Sequence, residues 1–230
     1  MVDILPSILN SDFWNIKETL NALNKSKIKE IHIDIMDGNF VEDMAFGPKF
    51  VKTLREHTDL KLDLHLMIIN PERKVEKFIE AGADSITFNV ESTFNVMNII
   101  QKVKEKNKKV GIAISPHTSI SSIEAILPFV DQVLVLTIKP GTSNSHIITE
   151  MYGKIKELYE IKNRKEYSYR IMVDGKVDDK TFRPILESGA DAVVSGGYIF
   201  KNEKILDNIE TLRKIGIKYE QSILLRINRR

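Results

Sequence analysis

Histidine and aspartate residues alternate with apolar residues in two short runs of this sequence. The run IHIDIMDGNF contains His32 and Asp34, and the run LDLHLM contains His65. A third run, IMVDG, ends in Asp174. Two imidazoles and two carboxylates suit a borderline divalent metal such as zinc, iron or manganese. The residue types therefore predict a metal centre, provided that the fold brings the three runs together.

The spacing of these residues indicates that they share strand faces with two methionines. Side chains alternate between the two faces of a strand, so His32, Asp34 and Met36 lie together, as do His65 and Met67. A single strand histidine is more often a hydrogen-bonded core residue than a ligand, and an aspartate that ends a strand often caps a helix. Burying four titratable groups together costs on the order of several kcal/mol unless a bound dication neutralises them. We therefore predict four ligands of one divalent ion: His32, Asp34, His65 and Asp174.

Two further aspartates have other interpretations. Asp63 lies on the same strand face as His65 but either deeper in the fold or outside it, and we predict a structural role for it. Asp37 begins the segment DGNF, where an aspartate is typical of turn chemistry. Neither residue is predicted to bind the metal.

Short apolar runs alternate with longer amphipathic segments along the whole chain. Eight of these runs predict strands, near residues 4–9, 30–36, 61–67, 85–90, 109–115, 132–138, 169–173 and 192–195. The segments between them have helical character, with Ser, Asp or Pro near their starts and Gly at the end of two. Eight β/α units favour a closed TIM (β/α)8 barrel, and a doubly wound open sheet is the alternative that the pattern leaves open. In a barrel of this kind, catalytic side chains collect at the carboxyl ends of the strands.

Composition restricts the class of protein. The 230 residues, 42% of them hydrophobic, suit a single domain over 1–230, with 217–230 as a C-terminal helical extension or tail. A formal charge of +2 does not indicate a nucleic-acid or membrane surface, so a small molecule is the expected partner. The sequence has no cysteine, and its start, MVDILPSILN, lacks the features of a secretion signal. No apolar run approaches the roughly 20 residues that span a bilayer. We expect a cytoplasmic protein.

The chain resembles the ribulose-phosphate 3-epimerase family over nearly its whole length. The segments that carry the resemblance are PSILNSDF (6–13), IHIDIMDGNFV (31–41), FGPKFVKTLR (46–55), LDLHLM (62–67), AGADSITF (81–88), KPG (139–141), VDG (173–175) and SGGYIF (195–200). The resemblance implies a TIM barrel with one divalent metal ion, which is zinc, iron(II), manganese or cobalt. It implies 3-epimerisation of a sugar phosphate, D-ribulose 5-phosphate to D-xylulose 5-phosphate, in the pentose phosphate pathway. It also implies a homo-oligomer, either a dimer or a hexamer.

The resemblance assigns roles to individual residues as well. The four predicted ligands match the family's metal ligands. Asp34 is expected to remove a proton from carbon 3 of D-ribulose 5-phosphate, and Asp174 to return one to the opposite face of a cis-enediolate, with the roles exchanged in reverse. The expected substrate-binding residues are Ser7, Met36, His65, Met67, Gly141, Gly175, Lys176, Gly196 and Gly197.

Several positions differ from the family pattern at the end of the site where a phosphate is expected. The segment PGTSNS (140–145) stands where PGFGGQ is usual, so the changed positions are Thr142 to Ser145. Lys176 follows VDG where a glycine is usual, and Gly197 replaces a serine. We expect Lys176, and also Lys139 before PG, to compensate electrostatically for the changed loop.

Three further substitutions lie nearer the predicted metal centre. Asn89 stands where many members have a histidine, Ser115 where they have an asparagine, and Leu136 where they have a third methionine. Two functional alternatives therefore stay open. One is the same chemistry on another sugar phosphate, such as D-allulose 6-phosphate. The other is a catalytically silent barrel that binds a metal or a sugar.

Overall fold

The computed structural model describes residues 2–142 and 146–227, and these form a parallel β-barrel surrounded by helices. Side chains are described as far as Leu225. The strands are β1 (Asp3–Pro6), β2 (Glu30–Asp37), β3 (Met44–Ala45), β4 (Lys61–Met67), β5 (Ser85–Asn89), β6 (Lys109–Ile114), β7 (Gln132–Leu136), β8 (Arg170–Asp174) and β9 (Ala192–Ser195). The helices are α1 (Ile16–Lys25), α2 (Pro48–His57), α3 (Val75–Glu80), α4 (Val96–Glu105), α5 (Met151–Lys165), α6 (Phe182–Glu187) and α7 (Ile205–Ile227).

The strand order decides between the two predicted architectures. The order is β1-β9-β8-β7-β6-β5-β4-β2, so strands that follow one another in the chain are also neighbours in the sheet. A parallel bridge between Ser7 and His32 joins β1 to β2 and closes the barrel. The short β3 pairs antiparallel with the end of β2 and lies outside this ring. The TIM barrel prediction is confirmed, and the doubly wound sheet is excluded because the sheet closes in sequential order.

Because side chains alternate along each strand, the buried residues fall into two regions, one between the strands and the helices and one inside the barrel. The outward-facing side chains are aliphatic, such as Ile33 on β2 and Leu64 on β4, and they pack against the helices in the larger apolar core. A smaller apolar cluster fills part of the barrel interior and includes Leu5, Leu134 and Met172. Most inward-facing positions of β2 and β4 are polar instead, and a methionine occupies the last such position of each strand. This difference sets the position of the site.

Two predicted elements differ from the observed ones. The strand predicted over 4–9 ends at Pro6, because Ile8–Asn10 forms a 3₁₀ turn that brings Ser7 to the barrel rim. The segment between β6 and β7 contains 3₁₀ turns at Ile120–Ser122 and Leu127–Phe129 and no α-helix. Serine side chains in this segment bond to nearby backbone carbonyls, as Ser122 does, and so compete with helix formation.

The predicted C-terminal extension over 217–230 is the second half of α7 as far as Ile227, and residues 228–230 lie outside the described residues. The helix therefore continues without a break through position 217. The Tyr219 hydroxyl donates to the Leu186 carbonyl (3.0 Å), which joins this half of α7 to α6. Among the described helices, none combines the length and apolar character needed to cross a membrane.

The repeated segments AGAD and SGAD follow the ends of α3 and α6, and each contains a glycine with positive φ. Gly82 has φ +108° and Gly189 has φ +103°, in the range that favours glycine. A Cβ at Gly82 would lie 2.5 Å from Arg55 Cγ, and one at Gly189 would lie 2.6 Å from Tyr159 Cγ. Both glycines are therefore required by backbone conformation and by close packing.

We predict opposite effects of alanine at two glycines. Gly82→Ala should lower the free energy of unfolding by about 1–3 kcal/mol, because the backbone strains and the Arg55 side chain must move. Gly153→Ala serves as the control, since Gly153 lies exposed in α5 with nothing within 4 Å of its added Cβ. It should raise stability by up to about 1 kcal/mol through helix propensity. Urea denaturation of both variants tests this, and equal effects would contradict the assignment.

Candidate metal centre and active site

The register of two neighbouring strands builds the site in layers. In the parallel pair β2 and β4, His32 lies beside Asp63, and Asp34 lies beside His65. Met36 lies beside Met67 one layer closer to the carboxyl ends of the strands. Because the residues of each strand are two apart, all of these side chains face the barrel interior. The layers run from a charged floor to an apolar mouth.

Asp63 fixes the orientation of His32. The Nδ1 atom of His32 donates to Asp63 Oδ2 (2.7 Å), and both side chains are fully buried. The other oxygen of Asp63 accepts from Ser85 Oγ (2.5 Å) and from Gln132 Nε2 (2.7 Å). Since the carboxylate only accepts, Nδ1 carries a hydrogen, and Nε2 is the nitrogen that remains to face the proposed ion. The predicted structural role of Asp63 is thus to orient a histidine from deep inside the barrel.

His65 makes its supporting hydrogen bond through the other ring nitrogen, Nε2. Its Nε2 atom donates to the amide oxygen of Asn89 (2.9 Å), which leaves Nδ1 to face Asp34. His32 Nε2 and His65 Nδ1 lie 3.3 and 3.6 Å from the same oxygen, Asp34 Oδ1. The second oxygen of Asp34 accepts from the Ser7 hydroxyl (2.6 Å).

The four predicted ligands meet at one point. One ligand atom from each of His32, Asp34, His65 and Asp174 can be chosen so that all four lie within 4.8 Å of one another. Two of these atoms, His32 Nε2 and His65 Nδ1, are buried and lack a hydrogen-bond partner within the part of the chain that the structure describes. Four ligands at 2.0–2.2 Å from a tetrahedral centre stand roughly 3.3–3.6 Å apart, which matches the distances to Asp34 Oδ1. The arrangement fits a divalent ion.

The charges of the cluster shift one another's pKa values. Burial alone would lower the pKa of His32, but the carboxylates of Asp34 and Asp63 raise it well above its usual range. Burial opposes ionisation of Asp34, but His32 and His65 hold its pKa well below its usual range. Burial and the charge of Asp34 together raise the pKa of Asp174 to about 6. The two catalytic candidates therefore differ strongly in acidity although they share one site.

A cavity of about 370 Å³ opens above the cluster at the carboxyl ends of the strands. Asp34 and Asp174 reach it from below. Eight of the predicted substrate-binding residues line it, namely Ser7, Met36, Met67, Gly141, Gly175, Lys176, Gly196 and Gly197. His65 does not line the cavity, because it lies one layer deeper than Met67 and is fully buried. The predicted substrate-binding residues thus lie together around one cavity, with His65 beneath it.

Several lining residues were missed. Asn10 lies three residues after Ser7, and its Oδ1 atom approaches the backbone so closely that a Cβ at Gly196 would lie 2.2 Å away. Lys201 also lines the cavity, six residues beyond the end of β9. Asn89 does not reach the cavity and acts only through His65. A side chain that follows a strand by a turn gives no periodic signal, which explains why Asn10 and Lys201 were not found.

Three lysines line the cavity, namely Lys139, Lys176 and Lys201. Lys139 pairs with Glu42 (3.5 Å), with both side chains well exposed. Lys176 and Lys201 make no ion pair with any residue that the structure describes. Lys176 adopts φ +52°, a conformation that is uncommon for a residue with a side chain. The changed segment 142–145 begins beside them at Thr142, which lines the cavity, while its residues 143–145 lie outside the described residues.

Local contacts settle two other predictions. Asp37 accepts the backbone N–H groups of Asn39 and Phe40 (3.0 Å each), which confirms its part in the turn. Leu136, which stands where many family members have a third methionine, also lines the cavity.

Sequence comparison identifies relatives over most of the chain. A model of the ribulose-phosphate 3 epimerase family matches residues 3–200. The ribulose-phosphate 3-epimerase of Treponema pallidum is 37% identical over 197 residues, which cover 86% of this chain and 90% of that protein. The Bacillus subtilis enzyme of the same name is 36% identical over 201 residues, covering 87% of this chain and 93% of that protein.

Comparison with solved structures finds the same barrel in proteins of low sequence identity. A 3-hexulose-6-phosphate synthase from Salmonella typhimurium has a TM-score of 0.71 at 14% identity, covering 95% of this chain and all of that one. A 3-keto-L-gulonate-6-phosphate decarboxylase from Vibrio cholerae has a TM-score of 0.70 at 14% identity, covering 95% of this chain and 99% of that one. At this identity the likeness establishes the TIM barrel fold alone.

We predict that Asp63→Asn weakens metal binding by about 10- to 100-fold, as is usual when the partner of a ligating histidine is lost. An asparagine can accept at only one of its two positions. If its NH₂ group faces Ser85 and Gln132, those two donors lose their acceptor. If the NH₂ group faces His32, the imidazole nitrogen there must accept, and the imidazole proton moves to Nε2.

Zinc affinity, measured by competition with a chromophoric chelator, tests this prediction. Asp131→Asn is the control, because Asp131 accepts the Val110 N–H (2.8 Å) away from the site. Equal zinc affinities in the two variants would show that Asp63 does not orient His32.

Proposed function

The chain belongs to the ribulose-phosphate 3-epimerase family of isomerases, and on this premise we propose that it is a metal-dependent 3-epimerase of a ketose phosphate, interconverting D-ribulose 5-phosphate and D-xylulose 5-phosphate. The observation that carries the proposal is the meeting of two carboxylates and two unpartnered histidine nitrogens beneath one cavity. Epimerisation next to a ketone needs two acid/base groups that act on opposite faces of the same carbon.

Asp34 and Asp174 can serve opposite faces because of where their strands lie. In the closed sheet, β2 and β8 are separated by β1 and β9, so the two carboxylates enter the site from different directions. Asp34 removes the proton from carbon 3 of D-ribulose 5-phosphate, and Asp174 returns a proton to the other face. In the reverse direction the two residues exchange roles. His32, Asp34, His65 and Asp174 would hold a divalent ion, which would supply Lewis-acid stabilisation of negative charge developing on the substrate.

Neighbouring side chains hold the base and keep water away from it. The Ser7 hydroxyl donates to Asp34 Oδ2 and leaves Oδ1 facing the histidines. Met36 and Met67 pack with Val41 into an apolar cluster at the mouth of the barrel. Such a wall offers no proton donor, so the reacting carbon exchanges protons with the two carboxylates and not with solvent.

The far end of the cavity suits the phosphate. Gly175 and Gly196 present backbone without a side chain, and Gly197 has nothing within 4 Å of where a Cβ would lie. Lys176 and Lys201 place two positive charges at the same rim. The cavity thus has two carboxylates where the ion is proposed, and its other charged lining residues include Asp43 and Asp178 as well as the lysines.

The proposal also includes assembly and location. We expect a homo-oligomer, a dimer or a hexamer, in the cytoplasm, as the family resemblance implies.

Deuterium exchange at carbon 3 tests the proposed reaction. Zinc-loaded protein in D₂O should label both D-ribulose 5-phosphate and D-xylulose 5-phosphate, and label them faster than D-allulose 6-phosphate. Asp34→Asn and Asp174→Asn should each abolish epimerisation, and each should still label the epimer whose proton faces the remaining carboxylate. Zinc content is measured in both variants. Epimerisation at the wild-type rate in either zinc-loaded variant would refute the two-carboxylate mechanism. If D-allulose 6-phosphate were labelled fastest, it would replace D-ribulose 5-phosphate as the proposed substrate.

A separate prediction concerns Lys176. Lys176→Gly should raise KM for the ketose phosphate by about tenfold at low salt, because one charge on the phosphate is lost, and the effect should shrink as ionic strength rises. Lys27→Gly is a matched control, because Lys27 is also exposed, has φ +60° and precedes the opposite end of β2. Both substitutions relieve a left-handed conformation, but only the first lies at the cavity. An equal KM in the two variants across a salt series would make Lys176 a bystander.

A further inference from the structure

One buried amide connects the proposed metal centre to a more distant carboxylate. Asn89 ends β5 and is fully buried. Its Oδ1 atom accepts from His65 Nε2 (2.9 Å), and its Nδ2 atom donates to Glu91 Oε2 (3.3 Å). If this amide turned over, its oxygen would face the carboxylate and its NH₂ group would face His65. Glu91 therefore selects the orientation of the Asn89 amide.

Glu91 is itself held in place from the other side. Its Oε1 atom accepts the backbone N–H of Ser115 (2.8 Å) and the hydroxyl of Thr118. These two donors occupy one oxygen and leave Oε2 to Asn89. Glu91 is half-buried and belongs to neither the ligand cluster nor the lining of the cavity above it.

We infer that Glu91 is a positioning residue for the metal centre: through Asn89 it holds His65 in the tautomer with its hydrogen on Nε2, so that the Nδ1 lone pair faces the ion. The inference rests on the proposed metal site and goes beyond it, because it assigns control of one ligand to a residue two hydrogen bonds away. His32 is controlled differently, by the direct contact with Asp63.

The isosteric change Glu91→Gln should reverse the direction of the whole chain of hydrogen bonds. The substituted side chain keeps its oxygen for Ser115 and Thr118, so its NH₂ group faces Asn89. The Asn89 amide then turns over, accepts from this NH₂ group and donates to His65 Nε2. That nitrogen must now accept, and the proton of His65 moves to Nδ1, the atom that the ion requires. Every hydrogen bond is kept, yet the ligand is blocked.

Glu91→Ala makes a different change. Without any polar group at this position, the Asn89 amide is free to keep its oxygen toward His65. The Ser115 N–H loses its partner, so the alanine variant should lose more thermal stability than the glutamine variant. Its metal affinity should fall less. If Glu91 had a purely structural role, the variant that loses more thermal stability would also lose more metal affinity.

The experiment measures zinc affinity by chelator competition in Glu91→Gln, Glu91→Ala and Glu72→Gln. Glu72 is a matched control, since it is also half-buried and accepts from a threonine hydroxyl, Thr93 (2.9 Å), and an asparagine amide, Asn95 (3.4 Å). We expect Glu91→Gln to weaken zinc binding by about tenfold or more. Glu91→Ala should weaken it less, and Glu72→Gln should leave it at the wild-type value.

Nuclear magnetic resonance gives a second readout. In the zinc-loaded wild-type protein, long-range ¹H–¹⁵N correlation should place the ring hydrogen of His65 on Nε2. Zinc affinity in Glu91→Gln equal to that of Glu72→Gln would overturn the inference alone. A His65 hydrogen on Nδ1 in the zinc-loaded wild type would overturn both the inference and the proposal that His65 is a ligand. Absence of stoichiometric zinc in the wild type would overturn the proposed metal site, and the inference with it.

Discussion

Charge buried inside the barrel is the constraint on which the rest of the site depends. A carboxylate or imidazole that cannot reach water must meet a partner at every polar atom, because an unpaired buried charge costs several kcal/mol or more. The barrel floor meets this requirement with a chain of contacts. Arg170 donates to Glu30 (2.8 Å) and to Gln132 (2.9 Å), Gln132 donates to Asp63, and Asp63 accepts from His32. The orientation of the first histidine is thus anchored at the end of the barrel opposite to the cavity.

The two histidines are supported unequally. His32 donates to a carboxylate that three donors hold, whereas His65 donates to a neutral amide whose orientation is itself set by another group. A carboxylate partner makes an imidazole a stronger electron donor than an amide partner does. Of the two proposed ligands, His32 is therefore held more firmly than His65. Since the two donor atoms face the same oxygen of Asp34, a change in either support reaches that carboxylate directly.

The sequence predicts the features that periodicity controls and misses those that depend on side-chain conformation. Alternation along β2 and β4 was enough to place His32, Asp34 and His65 on inward faces, and the position of Asp174 at a strand end added the fourth ligand. The contact between Asn89 and Glu91 has no such signal, because two residues on one strand path normally do not bond to each other, and they meet only after β5 has turned into a 3₁₀ helix. The absence of an α-helix between β6 and β7 was likewise not predicted, because this serine-rich segment has enough apolar residues to resemble an amphipathic helix.

In the proposed enzyme, reaction type and substrate choice depend on different layers of the barrel. The floor offers little freedom, because its buried polar atoms either pair with one another or face the proposed ion, and a substitution leaves a donor or an acceptor unpaired. The rim is half-exposed and can change at small cost, as the lysine with φ +52° at position 176 shows. A residue with a side chain in that conformation costs roughly 1–2 kcal/mol relative to glycine, and such strain persists where the surrounding structure offsets it. A barrel of this kind can therefore keep its proton chemistry while the group recognised at its rim changes.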